Sequence, residues 1–167
     1  MEYPAPMTLF REARPQDADR CYEIETAAYD GDEAATLEKI RTRIAIYPQG
    51  FLILEHQGQI AGFINSGCAH HVEMADEAFK ELIGHDPDAP NVVIMSVVVH
   101  PDFQGQGLST RLMDKFVRHM RDLGKQRIYL MCKEHHVDLY RKMGYRYLAP
   151  SASDHGGMAW HEMSMDL

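Results

Sequence analysis

The chain has 167 residues, 45% of them hydrophobic, and this composition fits one globular domain with its own core. A net charge of -8 argues against non-specific binding to nucleic acid, which requires a basic surface. No apolar run is long enough to cross a bilayer, and the first residues lack the pattern of a secretory signal. We therefore expect a cytoplasmic protein that binds neither nucleic acid nor membranes, and its three widely spaced cysteines predict reduced thiols.

The first half of the chain predicts a strand, two helices and a hairpin. Pro15 suits the first turn of the first helix, and Thr36 suits the N-cap of the second. The second helix ends before Pro48, because proline disfavours helical geometry in the residue that precedes it. The predicted ranges are 8–12 for the strand, 15–29 and 37–47 for the helices, and 51–55 and 60–66 for the hairpin strands, joined by Gln57-Gly58-Gln59.

The second half alternates strands and helices. Residues 92–99 are almost all apolar and β-branched, which is typical of a strand buried on both faces at the centre of a sheet. Leu108, Leu112 and Phe116 recur at helical spacing, and Gly124 suits a left-handed C-terminal cap. The pattern is mixed α/β. The remaining predicted elements are a strand at 127–132, a short helix at 137–143 and strands at 145–148 and 158–165.

The turn after the central strand has the features of an anion site. It reads Gln104-Gly105-Gln106-Gly107-Leu108-Ser109 and leads into a helix N-terminus, where backbone N–H groups lack intrahelical partners. Its glycines permit positive φ and close approach by a pyrophosphate. A dinucleotide fingerprint would need a third glycine at Thr110, and a P-loop would need Gly-Lys-Ser/Thr, so neither fits. An ordinary tight connection between strand and helix is the alternative.

Residues 97–109 resemble motif A of the GNAT acetyltransferase superfamily, whose core is Gln/Arg-x-x-Gly-x-Gly/Ala. Gln104 and Gly107 match this core, and Ser109 stands where glycine or alanine is usual. Residues 130–144 resemble the second acetyl-CoA motif of the superfamily.

Segments near both ends are similar to the arylalkylamine (serotonin) N-acetyltransferase branch and its microbial relatives. The resemblance implies an α/β fold, with a mixed central sheet whose central strands splay apart and about four flanking helices. It also implies a single N-acetyltransferase domain over residues 1–167, with its core at about 8–166. The segments that carry this closer resemblance are 22–29 and 150–163.

The resemblance implies acetyl-CoA as the co-substrate and assigns residues to it. The backbones of Val97, Val98 and Val99 would bind the pantetheine arm between the splayed strands. Tyr140 matches the family tyrosine that faces the CoA sulfur and protonates the departing thiolate. The remaining cofactor-binding positions form the turn and the first helical residues, namely Gln104, Gly105, Gln106, Gly107, Leu108, Ser109 and Thr110.

The acceptor side of the site departs from the branch. That branch commonly carries two histidines on the central strand, where this chain has Val93 and Met95, so the expected proton relay is missing. An alkylammonium, with a pKa of about 10.4, must lose a proton before it attacks a thioester. The candidate bases are Glu25, His70, His71 and His155, with a backbone carbonyl or a water chain as the alternative. The expected pocket-lining residues are Tyr29, Met95, Met131, His155, Met158 and Trp160.

Acidic segments are expected to border the entrance for the acceptor. Residues 21–38 contain six acids and no lysine or arginine. Acidic walls concentrate a cationic amine. We expect Asp32 and Glu33, together with Asp30, to recognise the ammonium group, although solvated helix faces are the alternative.

These observations predict an enzyme that moves the acetyl group of acetyl-CoA directly to a primary amine of a small arylalkylamine- or polyamine-like molecule, as a monomer or homodimer. A protein or peptide N-acetyltransferase and a non-catalytic acyl-CoA-binding module are the alternatives. No metal is expected, because the adjacent pairs His70-His71 and His135-His136 have diverging side chains on any helix or strand. Transfer through Cys132 is disfavoured, because no motif places a base beside it.

Overall fold

The computed structural model describes residues 7–29, 34–74, 76–153 and 159–167. Seven strands and four helices lie in these ranges. The strands are β1 (Thr8–Glu12), β2 (Phe51–His56), β3 (Gln59–Ala69), β4 (Asn91–Val99), β5 (Arg127–Cys132), β6 (Arg146–Pro150) and β7 (His161–Asp166). The helices are α1 (Ala18–Ala28), α2 (Leu37–Ile46), α3 (Leu108–Asp122) and α4 (Val137–Lys142).

The strands form one mixed sheet with the order β1-β2-β3-β4-β5-β7-β6. Neighbours are antiparallel except β4 and β5, which run parallel. This parallel pair is joined only at its beginning, where Asn91–Val93 pair with Arg127–Tyr129. Beyond Val93 and Tyr129 the two central strands are no longer paired, so the sheet opens at its middle. The predicted α/β fold, with splayed central strands and four helices, is confirmed.

Each face of the sheet carries its own core. Helices α1 and α2 bury Ile24 and Ile40 against Phe63 and Val98 on one face. Helix α3 buries Phe116 on the other face, in a larger cluster that also includes residues of α4. The apolar stripe predicted for α3 therefore points into the core, as helical spacing requires.

A β-bulge distorts the central strand. Asn65 pairs with Ser96, but the next residue of β3, Ser66, pairs with Ile94, so Met95 is left without a partner. Such a bulge bends the strand and redirects the side chains that follow it. It lies beside the point where β4 leaves β5.

The hairpin differs in detail from the sequence prediction. The turn is formed by two residues, Gln57 and Gly58, both with positive φ (53° and 79°), as a type I′ turn requires. Strand β3 also continues to Ala69, three residues beyond the prediction, because its end pairs with the first residues of β4. The last residues of β3 lack the alternation of polar and apolar residues that is typical of a strand, so only their pairing with β4 identifies them as part of it.

Candidate active site

The predicted phosphate turn connects the end of β4 to the start of α3. Gly105 and Gly107 adopt left-handed φ values of 80° and 75°, which other residues reach only with strain, and Gly107 is the N-cap of α3. A Cβ added at either glycine would meet no atom within 4 Å. The first turn of α3 contains no acidic residue. The turn is therefore an open backbone cradle at a helix N-terminus, and it fits a pyrophosphate.

A cavity of about 300 Å³ lies against this turn, and we call it the smaller cavity. Most of the predicted cofactor residues line it: Val97, Val99, Gln104, Gly105, Gly107, Leu108, Ser109 and Tyr140. Three others do not. Val98 packs its side chain among the residues of α1 and α2 on the opposite face, and Gln106 and Thr110 are exposed to solvent.

Two side chains bind the backbone of β4 where the strand leaves β5. The Tyr29 hydroxyl donates to the Val97 carbonyl at 3.0 Å, and Gln104 Nε2 donates to the Val99 carbonyl at 3.0 Å. Both carbonyls lie beyond the last residue of β4 that pairs with β5. Since the N–H and C=O of one strand residue point to the same side, the N–H groups of Val97 and Val99 also point into the gap.

A second cavity of about 580 Å³, which we call the larger cavity, lies on the other side of the gap. The described residues that the sequence assigned to the acceptor all line it, namely Tyr29, Met95, Met131 and Trp160. Val93, the other position where the branch has a histidine, lines it as well. The remaining assigned residues, Asp32, Glu33, His155 and Met158, lie outside the described residues, as does Asp30.

The two cavities meet at three residues that line both of them, Val97, His136 and Tyr140. Burial raises the pKa of the Tyr140 phenol, so the hydroxyl keeps its proton at neutral pH. The His136 ring lies edge-on to Tyr140, with ring centroids 6.4 Å apart, and burial lowers the pKa of its imidazole. The junction therefore holds a protonated phenol beside the open backbone of β4.

His136 was not among the residues predicted for the site, although its position four residues before Tyr140 places both on one side of a helical turn. The expectation that the side chains of His135 and His136 diverge was wrong. They lie in a short 3₁₀ turn, Glu134–His136, and their ring centroids are 4.1 Å apart.

Glu25 is the one described candidate base that reaches the site. It is 1% exposed, and its Oε1 accepts a 2.8 Å hydrogen bond from the hydroxyl of Ser96, which lines the larger cavity. Its other oxygen, Oε2, is also buried. Burial raises the pKa of the Glu25 carboxyl to about 7, while the hydrogen bond from Ser96 and the charge of Arg43 oppose this rise.

The other described candidates lie elsewhere. His70 is exposed and pairs with Asp86 at 2.8 Å, and His71 is exposed; neither lines the larger or the smaller cavity. Cys132 lines the larger cavity, but burial raises the pKa of its thiol to about 11, so it is a poor nucleophile at neutral pH.

Arg43 of α2 lines the larger cavity although it is only 3% exposed. Its Nε donates to the Lys80 carbonyl at 3.1 Å, and its Nη1 donates to Asn65 Oδ1 at 3.4 Å. Burial lowers the pKa of the guanidinium to about 10, so it is still charged at neutral pH. Arg43 was not among the residues predicted for the site, although it lies three residues after Ile40 on the apolar side of α2.

The described ranges contain no cluster of three or more histidine, cysteine or acidic side chains that could hold a metal ion. None of the helices in those ranges is both long and apolar enough to span a membrane.

The open cradle, the splayed strands and the tyrosine at the junction define a class of protein, the acyl-CoA-dependent acyltransferases. The sequence model of the Acetyltransferase (GNAT) family matches residues 17–145. The chain belongs to this family and is an acetyl-CoA-dependent acetyltransferase.

Known proteins agree with this assignment. Serotonin N-acetyltransferase of Mesocricetus auratus is 28% identical over 169 residues, which cover 97% of this chain and 79% of that protein. The loading GNATL domain of CurA from Lyngbya majuscula matches the fold with a TM-score of 0.84 at 17% identity, covering 96% of this chain and 98% of that one. A putative acetyltransferase from Salmonella typhimurium, solved with its cofactor acetyl-CoA, matches with a TM-score of 0.68 at 21% identity, covering 96% and 94%.

Proposed function

We propose that this enzyme transfers the acetyl group of acetyl-CoA directly to the primary amine of a small molecule. The observation that carries the proposal is the meeting of two cavities at Tyr140, one beside the phosphate cradle and the other among the aromatic and methionine side chains of the predicted acceptor site. In this arrangement the thioester lies at the junction, with the amine approaching from the larger cavity. Holding both reactants in contact supplies much of the rate enhancement.

On the donor side, the cradle would hold the pyrophosphate and the open edge of β4 would hold the pantetheine arm. The N–H groups of Val97 and Val99 would donate along this edge, and the N–H nearest the thioester would polarise its carbonyl. Gln104 and Tyr29 support this role, because each donates a hydrogen bond to a carbonyl of the open edge and so fixes the backbone there.

The size and lining of the larger cavity favour a small acceptor. Its volume of about 580 Å³ is typical of small-molecule sites. Tyr29, Trp160 and Met131 favour an acceptor with an aromatic or aliphatic body, and serotonin N-acetyltransferase is a relative that covers most of the chain. A polyamine is less favoured, because the cations that line the cavity outnumber the acids: Lys39, Arg43, Lys80 and Lys133 against Glu73 and Asp76.

Glu25 would take the proton of the amine through Ser96. The ammonium group loses a proton to Ser96 Oγ as the hydroxyl proton passes to Glu25 Oε1, so the free amine is formed beside the thioester. A base works best when its pKa is close to the working pH, and burial places the pKa of Glu25 at about 7. Glu25 thus takes the role that histidines on the central strand fill in the related branch.

Tyr140 would complete the reaction as the general acid. The amine nitrogen bonds to the carbonyl carbon, the carbon–sulfur bond breaks, and the thiolate takes the phenolic proton. The proton that the nitrogen loses as the amide forms passes to the phenolate and restores Tyr140. A buried phenol holds its proton until a strong base forms beside it, and a thiolate, with an ordinary pKa of about 8.5, is such a base when water is excluded.

Since the three cysteines are all free, we place this reaction in a reducing compartment, the cytoplasm.

Thiol release from acetyl-CoA tests the proposal across four acceptor classes: arylalkylamines, amino acids, polyamines and short peptides. We expect turnover with small aryl- or alkylamines and little turnover with polyamines. Turnover with peptides alone would contradict the small-molecule assignment and favour a protein acetyltransferase. Tight binding of acetyl-CoA without turnover on any amine or peptide would contradict catalysis of amine transfer.

A further inference from the structure

Arg43 holds a buried charge that no described carboxylate pairs with directly. Both of its hydrogen-bond acceptors, the Lys80 carbonyl and the Asn65 amide oxygen, are neutral. The charge of Glu25 raises the pKa of Arg43, but the Glu25 carboxylate is hydrogen-bonded to Ser96 and forms no described ion pair with the guanidinium. A buried guanidinium without a hydrogen-bonded anion is costly, and an anion supplied by a ligand would remove this cost.

The neighbours of Arg43 are arranged for such a ligand. Arg43 lines the larger cavity, and Asn65, which holds it, has a buried Nδ2 with no hydrogen-bond partner. Two of the five guanidinium donors have named partners, so the fork can still bind a carboxylate through two parallel hydrogen bonds.

The position of Arg43 relative to Ser96 limits the distance between the anionic and the cationic group of the ligand. Asn65 is the direct partner of Ser96 across β3 and β4, and adjacent strands are about 4.8 Å apart. The guanidinium is bonded to Asn65, and the proposed proton relay begins at Ser96. A cation site and an anion site therefore lie side by side, one strand apart, at the same end of the cavity.

We infer that the acceptor is an amino acid, whose carboxylate binds Arg43 while its α-amine lies at Ser96. The inference rests on the proposed function and names its substrate class. An α-amino acid carries an ammonium and a carboxylate on one carbon, which matches the adjacent sites. Its side chain would extend toward Tyr29, Met131 and Trp160, so an aromatic or large aliphatic amino acid fits best.

Matched acceptors test the inference without altering the protein. Phenylalanine, phenylalanine amide and phenylethylamine share one aromatic body, and only the first has a carboxylate. Leucine and isopentylamine form the aliphatic pair. We expect kcat/KM for each amino acid to exceed that of its uncharged counterparts by about ten- to a hundredfold, the range for a hydrogen-bonded charge pair. Equal or better turnover of the decarboxylated compounds would overturn the inference and leave amine acetylation intact.

Variants of Arg43 then test whether the preference for a carboxylate depends on its side chain. Arg43→Gln should raise KM for phenylalanine about ten- to a hundredfold and leave KM for phenylethylamine within about twofold. Arg43→Lys keeps the charge but loses the two parallel donors of the guanidinium. Its KM for phenylalanine should therefore lie between those of the wild type and Arg43→Gln. The matched control is Arg41→Gln on the same helix, since Arg41 is exposed.

The possible results distinguish failure of this inference from failure of the proposed function. If Arg43→Gln raises KM equally for phenylalanine and phenylethylamine, Arg43 only holds α2 against β3, and the inference is wrong. Should the variant fail to fold, the matched acceptors on the wild-type enzyme still decide the question. If no acceptor is turned over while acetyl-CoA binds, the proposed function fails, and the inference fails with it.

Discussion

The hydroxyl of Ser96 donates a 2.8 Å hydrogen bond to the carboxylate of Glu25, which lies 71 residues earlier in the chain. This contact joins α1 to the central strand at the bulge, beside Met95, and leaves the second carboxylate oxygen buried. It places a titratable group one hydrogen bond behind Ser96, which lines the larger cavity on the strand where the related branch has histidines.

Glu25→Gln should lower kcat by about 10² to 10⁴, the usual range for loss of a general base. Glutamine keeps an oxygen that can accept from Ser96 but cannot take up a proton. For the wild type, log kcat/KM should rise with pH up to about 7, the pKa of Glu25, and the variant should lose this dependence. Glu23→Gln on the exposed side of α1 is the control. An unchanged pH profile in Glu25→Gln would exclude Glu25 as the base.

The same residue links stability to pH. The pKa of Glu25 is raised from 4.5 to about 7 on folding, so the folded state binds the proton more tightly. Protonated Glu25 therefore stabilises the fold relative to ionised Glu25, and this contribution is lost as pH rises from about 4.5 to 7. In urea unfolding at several pH values, wild type should lose stability across this window relative to Glu25→Gln. Parallel curves for the two proteins would contradict the raised pKa.

Tyr140→Phe should lower kcat by about ten- to a thousandfold without weakening acetyl-CoA binding, because only the proton donor is lost. Tyr145→Phe is the matched control: it also removes a buried phenol, which bonds to Met113 and lines neither cavity. Stopped-flow turnover and acetyl-CoA titration measure the two effects separately. Normal turnover in Tyr140→Phe would exclude the acid role.

Gly107→Ala should raise KM for acetyl-CoA about tenfold. Alanine at a φ of 75° costs roughly 1 to 2 kcal/mol, and any relaxation moves the backbone N–H groups of the cradle. Gly58→Ala is the control, since Gly58 has a φ of 79° in the β2–β3 turn, outside both cavities. Equal KM values for the two variants would show that the turn does not hold the cofactor.

The donor half of the site could be predicted from sequence because its features are local. Gly105, Gly107 and Tyr140 lie within short motifs, and the strand, turn and helix around the glycines follow from periodicity. The two cavities contain these residues where the resemblance placed them. Their catalytic and binding roles stay predictions.

In the acceptor half, the described lining residues Tyr29, Met95, Met131 and Trp160 were predicted, but the buried polar contacts could not be, because they join distant segments. The Glu25–Ser96 pair requires the bulge at Met95, which appears only when β3 and β4 are aligned. The sequence alone did not distinguish Arg43 from the other charged residues of α2, although its spacing from Ile40 puts it on the buried side of the helix.

Product analysis by mass spectrometry tests the central claim most directly. The enzyme is mixed with acetyl-CoA and an amine from the panel, and free thiol and acetylated amine are counted in the same sample. Direct transfer predicts one N-acetylated product for each thiol released, with no acetylated enzyme in a single turnover. Thiol release without an acetylated amine, or an acetyl group trapped on Cys132, would contradict the account.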